Sequence, residues 1–400
     1  MIFRVSLFAV FLLITDSAST AEFSFEGAST DQASITVSTF RLEGEIVQGD
    51  AERFRNLFKL SNAPSSSLSS SRVELDSPGG SYIEGLELAK TFRQLGISTL
   101  VRTGESCYSA CALAFLGGSE PLKDPTVETE FPNQRPERSL ERGAELGFHA
   151  PYLEIPSSSY NADTVQTAYR VAIDSVAALI QIADHLYVEP AELPRLLNPD
   201  KSSFYVADTV DATRMLWIDY ADNSLQFRDL KGITPSMVAN ACVNRWYHIN
   251  RRSALPGYEI AKQTRENFEE GSELLENGEQ GLSFGVRSFR QNAMKGWLAF
   301  TPIKMTDDGK EFVWCLFEGG NDMPHVYYRN AGTVDELFEP YKKRGQLWDL
   351  TMDDHTMNPE RGLSISAGML KVSDTAPANV KLTEVKKVID EFLSKEEVIN

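Results

Sequence analysis

The stretch from Arg72 to Val101 reads R-V-E-L-D-S-P-G-G-S-Y-I-E-G-L-E-L-A-K-T-F-R-Q-L-G-I-S-T-L-V. R-V-E-L-D predicts a short strand, and S-P-G-G ends it in a turn. The next segment spaces apolar residues three apart, at Ile83, Leu86, Ala89 and Phe92. That spacing predicts a helix, which Gly96 ends, and I-S-T-L-V predicts a second strand. A strand, a helix and a strand in this order predict an α/β domain of βαβ units with a largely parallel sheet.

The flanking segments continue the same alternation. Upstream, the stretch from Ala33 to Val47 alternates around β-branched residues and predicts a strand, and Asp50 is expected to cap the helix that follows. The serine-rich stretch 62–71 predicts a loop. Downstream, the segment S-A-C-A-L-A-F-L that begins at Ser109 is apolar nearly all round. It predicts a short buried helix.

The composition changes after this helix. Residues 119–143 are charged and contain several prolines, which predicts an inserted loop. A surface excursion and a lid that shapes substrate access are both open interpretations. The segment from Asp163 to Ile182 then has apolar residues at helical spacing and predicts one long amphipathic helix.

The pattern loosens beyond Ile218, and we expect a domain boundary near Asp219 to Gly232. Residues 22–219 then form the first domain, and residues 220–400 form a smaller mixed α+β C-terminal domain. Two domains agree with a length of 400 residues, since a single hydrophobic core seldom grows that large. In the second domain we expect a hairpin around Asp308-Gly309 and a final helix from Thr383 to Lys395.

Residues 1–21 have the features of a signal peptide. One arginine precedes an apolar run of about ten residues, and Ser19-Thr20-Ala21 provides small residues for cleavage. The run is too short to span a membrane, and no later segment has the ~20 apolar residues that a spanning helix needs. We therefore expect a periplasmic or secreted protein, with an uncleaved anchor as the alternative.

Cleavage after Ala21 should leave Glu22 as the first residue of the mature protein, because Ala21 closes the only good small-x-small site after the apolar run. Intact-mass measurement on exported protein checks this prediction. Recovery of a chain that still carries Met1 to Ala21 would contradict it.

Charge and cysteine content narrow the function classes. The net charge of −18 without a basic stripe argues against a nucleic-acid partner.

Four cysteines in an exported chain suggest disulfides, for which three connectivities exist. We expect Cys242 to pair with Cys315, and Cys107 and Cys111 to form a local pair or to remain buried thiols. No His-Glu-x-x-His motif occurs, so we expect neither a metal nor another cofactor.

Ser109 stands where a strand and a turn lead into the predicted buried helix. There its hydroxyl would lie near unpaired backbone N–H groups, which stabilise the oxyanion formed by attack on a carbonyl. The alternative is that Ser109 is only a helix cap. Cys107 and Cys111 flank it, but a free thiolate nucleophile is not expected in an oxidising compartment.

Three motifs occur in a fixed order: L-D-S-P-G-G from Leu75, C-Y-S-A-C-A-L-A-F-L-G-G from Cys107, and G-F-H-A-P from Gly147. Together they resemble the Clp protease family, and more closely its exported, single-chain bacterial relatives. The resemblance covers roughly Phe40 to Ile218. It implies a ClpP/crotonase-like fold for the first domain, from which the insertion at 119–143 and the large C-terminal region depart.

The resemblance also implies a set of site residues. Ser109 would be the nucleophile and His149 the base, and the N–H groups of Gly80 and Ala110 would form the oxyanion hole. Asp200, which precedes an aromatic strand, would orient His149. Asp208 is the fallback for that role, and the alternative for Asp200 is a simple turn cap.

These residues predict an exported serine peptidase that acts on peptide or protein substrates without an ATP-driven partner. The first alternative is a non-catalytic secreted binding protein, since a fold does not fix a function. An acyl-CoA enzyme of the crotonase type and a Ser-Lys peptidase are further alternatives, and the histidine of G-F-H-A-P argues against both. Self-association of the chain is left open by the sequence.

Overall fold

The structure is a computed structural model. It describes residues 20–30, 36–61, 69–121, 134–152, 160–199, 203–222, 225–227, 230, 232–249, 285–291, 294–304, 312–319, 325–329, 365–396 and 398. No helix within these ranges is long and apolar enough to cross a membrane.

The described chain combines strands with helices. The strands are β1 (Glu22–Thr30), β2 (Thr36–Glu43), β3 (Ser69–Asp76), β4 (Ile97–Val101), β5 (Ser106–Tyr108), β6 (Ser119–Pro121), β7 (Gln134–Pro136), β8 (Arg138–Glu141), β9 (Glu145–Phe148), β10 (Tyr205–Val206), β11 (Ile218–Ala221), β12 (Gly285–Gln291), β13 (Met294–Lys304), β14 (Phe312–Gly319), β15 (His325–Arg329) and β16 (Ile365–Met369). The helices are α1 (Asp50–Leu60), α2 (Tyr82–Leu95), α3 (Ala110–Phe115), α4 (Ala162–Ala183), α5 (Leu193–Leu197), α6 (Val210–Met215), α7 (Pro235–Ile249) and α8 (Val385–Lys395).

The central sheet has six strands in the order β1-β2-β3-β4-β8-β11. Its edge strand β1 pairs antiparallel with β2, and the other neighbours are parallel. A smaller sheet, in the order β10-β9-β5, carries the strands that lead to Ser109 and His149. The prediction of a mixed α/β fold with a largely parallel sheet is confirmed.

The termini of the first two helices show how local sequence positions them. The Ser81 side chain accepts a hydrogen bond from the Glu84 N–H at the start of α2, and Gly96 ends that helix with φ 64°. The expected cap of α1 is wrong, because Gly49 occupies the cap position with φ 95°. Asp50 is instead the first residue of the helix, and its buried carboxylate accepts from the Val47 N–H at 2.8 Å.

Two predicted loops contain strands. Ser69 to Ser71, assigned to the serine-rich loop, begin β3 and pair with β2 in parallel register. The predicted insertion at 119–143 is also partly wrong, since its last residues form β8, which lies between β4 and β11. The sequence does not predict β8, because the strand lacks an alternating apolar pattern. One of its two buried positions is an arginine, Arg138, and only Leu140 is apolar. Residues 122–133 lie outside the described residues.

The later part of the chain has a second sheet, β12-β13-β14-β15-β16, with every neighbouring pair antiparallel. Its strands β13 and β14 are the arms of the predicted hairpin, whose turn at Asp308-Gly309 lies outside the described residues. The Cys242–Cys315 disulfide joins α7 to β14, which is the pairing that we expect from the sequence. The final helix begins slightly later than expected, at Val385.

Buried apolar residues from both predicted domains belong to one continuous core cluster, which includes Phe40 and Phe115 as well as Phe317. Hydrogen bonds also cross the proposed boundary: the Asp211 N–H donates to the Ala378 carbonyl at 2.8 Å. The boundary near 219–232 remains a prediction, and these contacts show that the two parts of the chain support each other.

Helix α4 matches the predicted long amphipathic helix. Its buried residues all lie in its second half, and among the described residues large apolar side chains of its first half are exposed: Val165 at 58%, Tyr169 at 68% and Val171 at 50%. An open apolar face of this kind is typical of interaction surfaces. Self-association of the chain, left open by the sequence, is not tested by this surface.

Candidate active site

Ser109 lies at the junction between β5 and α3. On the strand side, the S-P-G-G turn is bound to β5: the Ser77 N–H donates to the Ser106 carbonyl at 2.8 Å, and the Tyr108 N–H donates to the Ser77 carbonyl at 3.0 Å. On the helix side, the Leu113 N–H donates to the Ser109 carbonyl at 3.1 Å. The backbone of Ser109 is therefore held from both directions, while its side chain is half-buried.

The backbone of Ser109 has φ 58° and ψ −119°, a conformation that L-residues rarely adopt. Such a residue costs about 1–3 kcal/mol, and residues of this kind cluster at functional sites. Although Ser109 occupies the cap position of α3, its side chain makes no capping hydrogen bond. The simple role of a helix cap therefore does not account for Ser109.

Two glycines allow the S-P-G-G turn to approach Ser109. Gly79 has φ +103°, and a Cβ there would lie 2.7 Å from the Ser109 Cβ and 2.6 Å from the Tyr108 carbonyl oxygen. Gly80 has φ +137°, and a Cβ there would lie 2.2 Å from the Ile46 carbonyl oxygen. Any larger residue would displace the turn, so both positions require glycine.

The candidate oxyanion-hole donors are the backbone N–H groups of Gly80 and Ala110. The parallel bridge to Ile46 uses the Gly79 carbonyl and the Ser81 N–H, at 2.7 and 2.8 Å, and leaves the Gly80 N–H out. Neither the Gly80 N–H nor the Ala110 N–H donates a hydrogen bond among the described residues. Because α3 spans only six residues, its dipole is weak. These two N–H groups would therefore stabilise an oxyanion at Ser109 more than the helix dipole would.

His149 follows β9, which pairs in parallel with β5 so that Gly147 lies opposite Tyr108. The Ser109 N–H donates to the Gly147 carbonyl at 2.9 Å. Neighbouring parallel strands end at the same edge of a sheet, and the residues that follow them are brought together there. The structure thus brings Ser109 and His149 to one edge of the small sheet.

His149 is 8% exposed, and its Nδ1 lies 2.7 Å from the Ala150 carbonyl oxygen. Since a carbonyl oxygen only accepts, Nδ1 donates in this contact, which leaves Nε2 as the ring nitrogen able to accept a proton. No hydrogen bond joins Ser109 Oγ to His149 among the described residues. Catalytic hydrogen bonds are often long or poorly aligned without substrate, so the lack of this bond does not by itself rule His149 out as the base.

The third residue of the expected triad, Asp200, lies outside the described residues. Its chain neighbour Pro199 is described, and the Pro199 carbonyl accepts a hydrogen bond from the Ala150 N–H at 2.9 Å, next to His149. The fallback Asp208 is engaged elsewhere, because its carboxylate lies 2.8 Å from the Lys381 ammonium. In the described part of the structure, the Ala150 carbonyl is the group that orients His149.

Sequence reasoning missed the aromatic residues around His149. The Phe204 and Tyr152 rings lie 5.1 and 5.2 Å from the imidazole, and the Tyr108 ring lies 4.7 Å from that of Phe204. Burial and a hydrogen bond to the Glu145 carboxylate raise the pKa of Tyr108 to about 12, so this phenol stays protonated. The aromatic motifs Cys-Tyr-Ser and Ser-Phe-Tyr in the sequence were the available signal.

A second histidine can be set aside as a base. Burial, with help from the nearby charges of Arg245 and Arg214, lowers the pKa of His248 to about 3. A buried imidazole that resists protonation to this degree is a poor proton acceptor at neutral pH. Among histidines whose side chains are described, His149 is therefore the one suited to act on Ser109.

The structure joins Cys107 to Cys111 in a disulfide with a Cα–Cα distance of 5.1 Å. The alternative of two buried thiols is therefore not realised, although both residues are fully buried. This disulfide links β5 to α3 and spans Ser109, which lies midway between its two cysteines.

A comparison of the chain with protein-family models finds no matching family, and a search among curated proteins finds no significant match. The functional interpretation therefore rests on the residues and geometry of the site itself.

Proposed function

We propose that the chain is an exported serine hydrolase with a ClpP/crotonase-like first domain, which cleaves amide bonds of peptide or protein substrates. The observation that carries the proposal is the backbone of Ser109, held at φ 58° in a turn from strand to helix, beside the strand that leads to His149. A strained residue at a turn of this kind is held rigidly by the scaffold, and its side chain can be presented to substrate as a nucleophile.

The reaction that we propose has two steps. Ser109 Oγ attacks the carbonyl carbon while His149 Nε2 accepts the hydroxyl proton, and the tetrahedral anion then breaks its C–N bond as His149 returns the proton to the leaving amine. Water next attacks the acyl-enzyme ester, again with His149 as the base. The carboxylic acid product leaves, and the Ser109 hydroxyl is restored.

The negative oxygen of the tetrahedral intermediate needs hydrogen-bond donors that are already in place. The N–H groups of Gly80 and Ala110 suit this role, because Ala110 follows Ser109, Gly80 follows the glycine that approaches Ser109, and neither N–H is used by the described backbone. Removal of one such donor typically lowers turnover by about 10²–10³-fold. Among the natural amino acids only proline lacks a backbone N–H, so most substitutions affect these donors only by moving the backbone, as a side chain at Gly79 or Gly80 would.

Two disulfides support an oxidising location such as the periplasm or the extracellular space. A chain in such a compartment has no ATP supply, so we propose that it acts on peptides or flexible segments without an unfolding partner. The exposed aromatic rings of Tyr152 and Phe204 beside His149 offer a surface for bound substrate.

A fluorophosphonate probe should label the folded wild-type protein at one residue, Ser109. An activated serine reacts with this class of reagent because its base removes the hydroxyl proton, whereas ordinary surface serines do not react. Peptide mapping by mass spectrometry identifies the labelled residue, and Ser109→Ala should abolish the label.

The matched control is Ser81→Ala, since Ser81 is a helix cap close to the same glycine turn, with its side chain engaged by the Glu84 N–H. This variant should label like the wild type. A folded wild type that stays unlabelled would reject the proposal. The absence of a hydrogen bond between Ser109 and His149 would then favour the non-catalytic binding protein.

A further inference from the structure

The Cys107–Cys111 disulfide encloses the residue with the least favourable backbone conformation of the site. Cys107 is in β5 and Cys111 is in α3, so the crosslink ties the two elements together directly across Ser109. Both cysteines are fully buried, which separates this disulfide from exposed ones that exchange with other chains.

The crosslink restricts the path of the chain through Ser109. Four residue steps of extended strand would span about 13 Å, whereas the Cα atoms of Cys107 and Cys111 are 5.1 Å apart. The disulfide therefore prevents β5 from continuing through Ser109 as an extended strand. The bonds from Tyr108 to Ser77 and from Ser109 to Gly147 prevent α3 from extending backwards instead.

The contribution of this disulfide to overall stability is expected to be the smaller of the two. It closes a ring with a sequence separation of 4, against 73 for Cys242–Cys315, and the entropy lost by the unfolded chain grows with ring size. A short crosslink that contributes little to global stability but fixes a strained residue acts mainly on local geometry.

We propose that the Cys107–Cys111 disulfide is a positioning crosslink that holds Ser109 in its reactive backbone conformation, so that the site is competent only in the oxidised protein. This inference rests on the proposed function of Ser109. Reduction by a dithiol transfers two electrons and two protons to the crosslink: the reductant closes its own disulfide, and Cys107 and Cys111 become thiols. Ser109 is then free to relax into an ordinary conformation.

The test compares C107A/C111A with C242A/C315A, the matched removal of the distant disulfide. The fluorophosphonate labelling rate of C107A/C111A should fall at least tenfold, and on a cleaved ester or peptide kcat should fall while KM stays near the wild-type value. C242A/C315A should label like the wild type. Melting temperatures from circular dichroism should follow the opposite order, with C242A/C315A the less stable variant.

The experiment distinguishes failure of the positioning role from failure of the proposed function. A wild type that labels, together with a C107A/C111A variant that labels at the same rate, overturns the positioning role and leaves the proposed function standing. A wild type that does not label rejects the proposed function and this inference with it.

If C107A/C111A does not fold, the question is answered with the folded wild type. The protein is treated for increasing times with a dithiol, and newly formed thiols are mapped by alkylation and mass spectrometry. Loss of labelling should follow the appearance of thiols at Cys107 and Cys111, and not those at Cys242 and Cys315. Full labelling of molecules whose Cys107 and Cys111 are reduced would overturn the proposal.

Discussion

Replacement of His149 by alanine should slow the labelling of Ser109 and the turnover of substrate by about 10³-fold, within the range of about 10²–10⁴ that a positioned general base contributes. The reason is that Nδ1 of His149 donates to the Ala150 carbonyl, which leaves Nε2 as the acceptor, and that His149 follows β9 at the end of the sheet where Ser109 follows β5. Labelling kinetics measure the effect, and added imidazole should restore part of the rate.

The control is His185→Ala, because His185 is exposed and follows helix α4 outside the described site. It should leave the labelling rate unchanged. His149→Asn tests packing separately, since it keeps a polar side chain between Phe204 and Tyr152. If His149→Ala labelled at the wild-type rate in a folded protein, His149 would be a packing residue and the base would have to be sought elsewhere.

The parts of the fold that sequence predicted are those with a local signal. The helix from Tyr82 to Leu95 has both its apolar spacing and its glycine stop in the sequence, and Gly96 takes the left-handed conformation that such a stop requires. The strand on either side follows from short β-rich runs. Once these elements alternate, a parallel sheet and a site at the ends of its strands follow from topology.

The prediction failed where the signal depends on distant partners. β8 reads as part of a charged loop, because a buried arginine is recognised only when its hydrogen-bond acceptors are known, and these come from three separate segments. Asp50 is a different case, because the groups bound to its buried carboxylate, Val47 and Arg53, are only three residues away in the sequence.

In the candidate site, too, the residues with a local sequence signal were predicted and their geometry was not. Ser109, His149 and the glycine turn are found from ordered motifs, but the motifs carry no information on geometry. That Gly79 contacts the Ser109 side chain while Gly80 keeps its N–H unused follows only from the path of the turn past Ile46. The orientation of His149 by a backbone carbonyl could not be predicted at all, since every residue except the chain terminus has one.

Replacement of Arg138 by methionine should destabilise the protein by about 1–3 kcal/mol, the range expected when buried hydrogen-bond acceptors lose their donor. Its guanidinium is 1% exposed and donates to the carbonyls of Leu116, Leu186 and Leu216. Leu116 and Leu216 are the C-cap residues of α3 and α6, so the guanidinium satisfies carbonyls that have no partner within either helix.

Methionine keeps much of the length of arginine but donates no hydrogen bonds, so the three carbonyls would remain buried without their donor. Urea unfolding measures the loss as a shift of the midpoint at constant m-value. The matched control is Arg135→Met, three positions earlier in the chain, where the guanidinium is 63% exposed and pairs with Glu120 at the surface. That change should cost less than about 1 kcal/mol of stability, because surface ion pairs contribute little.

Because Leu116 ends the helix that begins after Ser109, Arg138→Met should also slow the labelling of Ser109 under conditions where the variant is still folded. Equal midpoints for the two variants would show that Arg138 does not hold these helix ends together.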